Sequence, residues 1–140
     1  MIKIRTFDLL GDYSKVVKLW QSCAPGIQLR QSDEFEEIKK KCERDADLFL
    51  VAEENGKILG TLMGAFDGRR GMMYHLAVDK AYRHRGIAAE LIDQFENRLR
   101  GKGCIRYYLL VVNDNDEAIQ YYQKKGYKQL PVKTFAKNLI

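Results

Sequence analysis

The segment Arg83-His84-Arg85-Gly86-Ile87-Ala88 carries the most chemistry per residue in this chain. It follows an apolar stretch, Leu76-Ala77-Val78, and leads into a helical pattern. A helix N-terminus leaves four backbone N–H groups unpaired and carries about half a positive charge. Set at the end of a strand, it is a ready anion site. Arg83, His84 and Arg85 add charge and donors. Gly86 lacks the Cβ that would hold a phosphate off the backbone, and the small Ala88 keeps the next step open. The expected ligand therefore carries phosphate. Neither G-x-x-x-x-G-K-[ST] nor G-x-G-x-x-G occurs, which argues against ATP and NAD. His75 and His84 lie nine residues apart and the cysteines are scattered, so no set has zinc-ligand spacing and no metal is expected.

The elements that must position this loop follow from patterning. Residues 2–7 alternate apolar and polar as a strand does. Val16, Val17, Leu19 and Trp20 recur at helical spacing within residues 12–23, and Pro25-Gly26 stops the run. A second helix is predicted over 33–44, with Phe35, Ile38 and Cys42 on one face. Apolar runs at 48–52 and 57–63 flank Glu54-Asn55-Gly56, a hairpin signal because both turn residues must accept positive φ. A turn at 67–71 precedes a strand over 72–78. Residues 86–99 place Ile87, Ala88, Leu91, Ile92, Phe95 and Leu99 on one helical stripe that ends at Gly101 and Gly103. The nearly continuous apolar run 106–112 reads as a strand covered on both faces. A short helix follows over 115–125, stopped by Gly126, and a last strand is expected over 127–135 with Pro131 at an edge or bulge. The order β-α-α-β-β-β-α-β-α-β specifies an α/β or α+β single domain, residues 1–140, with a mixed sheet.

Composition narrows the function classes. The 140 residues hold 24 basic and 19 acidic side chains, a net charge of +5. Lys39-Lys40-Lys41 is interleaved with Glu36, Glu37 and Glu43, and Lys124-Lys125 sits at a predicted helix end, so both read as solvated faces. No predicted strand interleaves aromatic and basic residues as a nucleic-acid stacking platform needs. Three cysteines without a C-x-x-C pair indicate reduced thiols in a cytoplasmic setting. The longest apolar run, Tyr107 to Val112, is far short of the ~20 residues that span a bilayer.

The loop matches the R/Q-x-x-G-x-G/A turn of the Gcn5-related N-acetyltransferase (GNAT) family, which grips the pyrophosphate of acetyl-coenzyme A. Asn115-Asp-Glu-Ala118-Ile119-Gln-Tyr121-Tyr122-Gln-Lys124-Lys-Gly126-Tyr127 resembles the family's N-x-x-A-I-x-[LF]-Y-x-K-x-G-[FY] segment. The two motifs stand in the right order, about 30 residues apart. Within the family the chain most resembles the YpeA-type bacterial branch, through Leu48-Phe-Leu-Val-Ala-Glu53, Asp67-Gly68-Arg69-Arg70-Gly71 and the Lys-x-Leu-Ile end. The resemblance implies a mostly antiparallel sheet, flanked by helices, that opens between its fourth and fifth strands to admit the pantetheine arm.

It also implies roles. Acetyl transfer from a thioester to an amine proceeds in this family by direct attack in a ternary complex. Leu76, Ala77 and Val78 would offer backbone groups to the pantetheine arm and one N–H to the thioester oxygen, a donor worth about 3 kcal/mol in other enzymes. Arg83, His84, Arg85, Gly86, Ile87 and Ala88 would hold the pyrophosphate. Asn115 is both a helix N-cap and the family's cofactor-side asparagine. Tyr122 stands where a phenol protonates the leaving sulfur; it also falls on the apolar stripe of Ala118 and Ile119.

Many relatives place a glutamate base on the fifth strand, and this chain has Leu110 there. His75, which shares strand parity with Met73 and Ala77, is a candidate because imidazoles titrate near neutrality; Glu53 and a water chain are others. The first two helices and residues 24–31, with Trp20, Gln28 and Arg30, would form the acceptor side. A protein N-terminus, a lysine, an amino acid and a polyamine all remain as acceptors. Homodimers are common in the family, and the sequence does not decide between one copy and two. The rival readings are a non-catalytic coenzyme A-binding domain on the same fold and a basic nucleic-acid module.

Overall fold

A computed structural model describes residues 1–140. Contacts divide the chain into two units, 1–110 and 111–140, each taken by itself below.

In the first unit, β1 (Lys3–Thr6), β2 (Phe49–Glu54), β3 (Lys57–Phe66), β4 (Gly71–Val78) and β5 (Tyr107–Leu109) lie side by side in chain order. The first three pairings are antiparallel and β4–β5 is parallel, which gives the expected mixed sheet. The β2–β3 turn is the predicted hairpin: Asn55 and Gly56 both take positive φ, 51° and 79°. Helices α1 (Leu9–Ser22) and α2 (Phe35–Arg44) come between β1 and β2, and α3 (Ile87–Gly101) connects β4 to β5. The crossover is what makes the last pairing parallel, since a hairpin cannot.

Each helix buries the stripe that its sequence spaces. Val16, Leu19 and Trp20 of α1 pack with Phe7, Phe49 and Val51, and Phe49 stacks on Phe7 at 4.0 Å between centroids. Ile87, Leu91, Ile92, Phe95 and Leu99 of α3 are all buried. Burying a side chain of this size is worth about 1.5–3 kcal/mol, so these stripes hold the helices to the sheet. Glycine lets α3 approach closely. A Cβ on Gly64 would strike the fully buried Phe95 ring and stand 2.9 Å from the Leu48 carbonyl oxygen. At Gly60 it would press on Ile87 and Leu91. Arg5 of β1 forks between Asp12 of α1 (2.7 and 2.9 Å) and Glu53 of β2 (3.1 and 3.3 Å), fastening the first helix to the sheet edge.

In the second unit, α4 (Asp116–Lys124) is the short helix expected over 115–125. Two expectations are corrected. The fifth strand keeps only three residues rather than spanning 106–112, and Leu110 beyond its end is exposed. The strand predicted over 127–135 does not form: nothing after α4 is helix or strand, although Val132 and Phe135 are apolar and exposed.

Candidate active site

The β4 strand is the organising element. It pairs with β5 only over Gly71–Met73, so Tyr74–Val78 have no strand along that edge. Leu76, Ala77 and Val78, singled out from the sequence, lie in this open stretch. On the other edge, Met63 pairs with Tyr74 and Thr61 with Ala77, so the single Leu62 faces the pair His75-Leu76. That extra residue is a β-bulge, and His75 absorbs it with a φ of 47°. The sheet therefore parts along the stretch of β4 that leads into the basic loop.

The bulge is held from below. Trp20 Nε1–H donates to Thr61 Oγ1 at 2.9 Å, and the Thr61 hydroxyl donates to the His75 carbonyl oxygen at 3.0 Å. The His75 ring lies 4.7 Å from the Trp20 ring, and its Nε2 is 2.8 Å from Asp33 Oδ1. The other carboxylate oxygen of Asp33 accepts the Arg30 backbone N–H at 3.0 Å, and its carbonyl accepts the Tyr13 hydroxyl. Burial acts to raise the Asp33 carboxyl, but the His75 and Arg30 hydrogen bonds outweigh it and hold the group below the usual carboxylate range. Asp33 is thus an acceptor only, and Nε2 must donate to it. In the neutral imidazole this leaves the lone pair on Nδ1.

Three expectations change here. His75 does not share a face with both Met73 and Ala77, because the bulge breaks the alternation: it lies against Trp20, whose cluster includes Ala77 and not Met73. Trp20 does not line an acceptor pocket; it is fully buried and acts through Thr61 and His75. Glu53 is engaged by Arg5, whose hydrogen bonds lower its carboxyl, and is poorly suited to take a proton. Asp33 was not visible as a site residue, since its partner stands 42 positions away.

At the far end of β4, Asp79 caps a 3-10 turn, Lys80–Tyr82, by accepting the Ala81 N–H. The chain then takes positive φ at His84 (64°) and Gly86 (79°) and enters α3, whose first bond runs from the Glu90 N–H to the Gly86 carbonyl. Arg83 turns back to the Val78 carbonyl at 3.2 Å. Arg85 and Lys57 both lie over the Tyr82 ring, 5.0 and 5.1 Å from its centroid, so one aromatic carries two cations beside the loop. A Cβ on Gly86 would meet no atom within 4 Å. The glycine is therefore required by conformation, and the space above it is open. Unpaired helix amides, flanking cations and an open approach suit a diphosphate.

In the second unit, Asn115 caps α4: its Oδ1 accepts the Ala118 N–H at 3.2 Å. Tyr122 stands edge-on to Tyr121 (5.5 Å) and Tyr127 (5.2 Å). Burial, with smaller contributions from Tyr127 and Tyr121, raises the Tyr122 phenol well above its ordinary value.

The model of the acetyltransferase (GNAT) family matches residues 13–127. An acetyltransferase from Pectobacterium atrosepticum is 41% identical over 129 residues, covering 92% of this chain and 90% of that one. Among solved structures, the PaiA N-acetyltransferase of Thermoplasma acidophilum, in complex with coenzyme A, shares the fold with a TM-score of 0.81 at 20% identity, over 95% of this chain and 93% of that one. Ard1 of Thermoplasma volcanium aligns with a TM-score of 0.77 at 25% identity, over 89% of this chain and 81% of that one. The chain belongs to the GNAT acetyltransferase family. It is an N-acetyltransferase whose acetyl donor is acetyl-coenzyme A.

Proposed function

We propose that residues 1–140 form one catalytic domain that acetylates a primary amine by direct attack in a ternary complex, with His75 as base and Tyr122 as acid. The observation that carries this reading is the open edge of β4, which runs from the bulge at His75 to the basic turn before α3. Acetyl-coenzyme A supplies a thioester carbonyl. Backbone groups of Leu76, Ala77 and Val78 orient the arm that carries it. Arg85, His84 and the amides after Gly86 hold the pyrophosphate, with Arg83, Ile87 and Ala88 shaping the turn. Asn115, which caps α4, would contribute to cofactor binding as the family resemblance implies.

Nδ1 of His75 takes a proton from the incoming ammonium, and the freed nitrogen attacks the thioester carbon. The C–N bond forms, the C–S bond breaks, and the sulfur departs as a thiol with the Tyr122 proton; the nitrogen then loses its second proton, which restores the phenol, and His75 releases the first to solvent, leaving a neutral amide. The raised phenol stays protonated through the neutral and mildly alkaline range, so the donor is always charged with its proton. As a weak acid it helps only if transfer accompanies C–S cleavage.

Direct attack predicts a sequential mechanism. Initial rates measured against acetyl-coenzyme A at several fixed amine concentrations should give intersecting double-reciprocal lines. Parallel lines would mean a covalent acetyl-enzyme and would remove the ternary complex from the account.

A further inference from the structure

Between the end of α1 and the 3-10 turn Gln31–Asp33 lies an open cleft of about 480 Å³. Its floor is apolar, with Ile27 and Leu29, and its polar groups are Gln21, Gln28 and Arg30. Arg30 is the only charged residue lining it, and no carboxylate does. The Arg30 guanidinium donates one bond to Gln28 Oε1 at 2.8 Å, which fixes its direction and leaves most of its five donors unspent. No acidic side chain neutralises it. Through its backbone N–H the same residue holds Asp33, which in turn holds His75. One carboxylate thus links the backbone of the residue that brings charge to the cleft with the imidazole of the reaction site.

We propose that the acceptor amine carries a carboxylate close to its nitrogen, that Arg30 with Gln28 binds this carboxylate, and that Ile27 and Leu29 take the acceptor's aliphatic part. This rests on the reading of His75 as the acceptor-side base. A guanidinium matches a carboxylate in charge and in planar geometry. A polyamine would bring a second ammonium to a cleft that has one cation and no acid to receive it. The carboxylate has two sources, the α-carboxylate of a free amino acid or the side chain of an acidic residue at a peptide N-terminus. Both present the same chemistry to Arg30.

The test compares wild type with Arg30→Ala on matched acceptors: leucine against leucinamide, a glutamate-initiated peptide against its glutamine counterpart, and spermidine. Each pair differs in the carboxylate, and taking the ratio between the two proteins cancels the differing basicity of the amines. The kcat/KM ratio of acid to amide should fall about tenfold in Arg30→Ala for one pair, and that pair names the source. Arg30 is exposed, so the fold tolerates the change. An unchanged ratio in both pairs, a preference for spermidine, or no turnover of either acid while acetyl-coenzyme A still raises the melting temperature would overturn the proposal alone. Failure of acetyl-coenzyme A to stabilise the wild-type protein would instead defeat the parent reading and this inference with it.

Discussion

Tyr122→Phe should lower kcat by about a hundredfold while leaving the affinity for acetyl-coenzyme A nearly unchanged. Loss of a positioned general acid costs about 10²–10⁴ in rate, and the lower end applies here because so weak an acid gives a smaller Brønsted advantage. The ring packs edge-on between Tyr121 and Tyr127, and phenylalanine preserves that packing. The variant therefore removes the hydroxyl and little else. Rate measurements with a good and a poor thiol leaving group sharpen the result. The defect should shrink when the departing thiol is more acidic and needs less help from a proton donor. A variant that loses turnover and acetyl-coenzyme A affinity together would show Tyr122 to be a binding or packing residue.

His75→Asn should reduce kcat/KM for the amine by about a hundredfold near neutrality. Asparagine suits the position because it tolerates the positive φ that the bulge imposes. Asp33→Asn should retain more activity, since it leaves the imidazole in place and changes only how it is held. Undiminished kcat/KM for the amine in His75→Asn would assign the base elsewhere.

Asp33 also links the site to stability. Its carboxyl is held below the unfolded value, so the stabilisation it contributes is present above about pH 4 and is lost as the pH falls through the lowered value. Acid unfolding followed by fluorescence should show a shallower loss for Asp33→Asn than for wild type across that interval.

The parts of this site that lie close together along the chain were legible from residue type. Positive φ at Asn55 and Gly56, the buried stripe of α3, the turn at Gly86 and the Asn115 cap all arise from local rules. The bulge at His75 does not. Its position depends on how β3 and β4 register, and alternation in the β4 sequence gives no sign of the extra residue. Trp20 shows the same limit: a single tryptophan near a proline-glycine stop fits a pocket wall as well as a core, and only Thr61, 41 residues away, decides it. Asp33 reads from sequence as a helix-start acid and becomes a site residue only through contacts across the fold. The run 106–112 was apolar enough for a long strand, yet β5 stops at Leu109 because pairing with β4 ends there.

The most direct test of the account is thermal unfolding with and without saturating acetyl-coenzyme A, on wild type and on Arg85→Ala. A ligand present at a hundred times its dissociation constant adds about 2.7 kcal/mol to the folded state, which raises the melting temperature of a chain this size by several degrees. The wild-type protein should show that rise with acetyl-coenzyme A and not with ATP or NAD. Arg85→Ala should show a smaller rise at the same concentration, because it has lost the cation that Tyr82 holds beside the turn. No rise for the wild type, or an equal rise for both proteins, would contradict the pyrophosphate role of this loop.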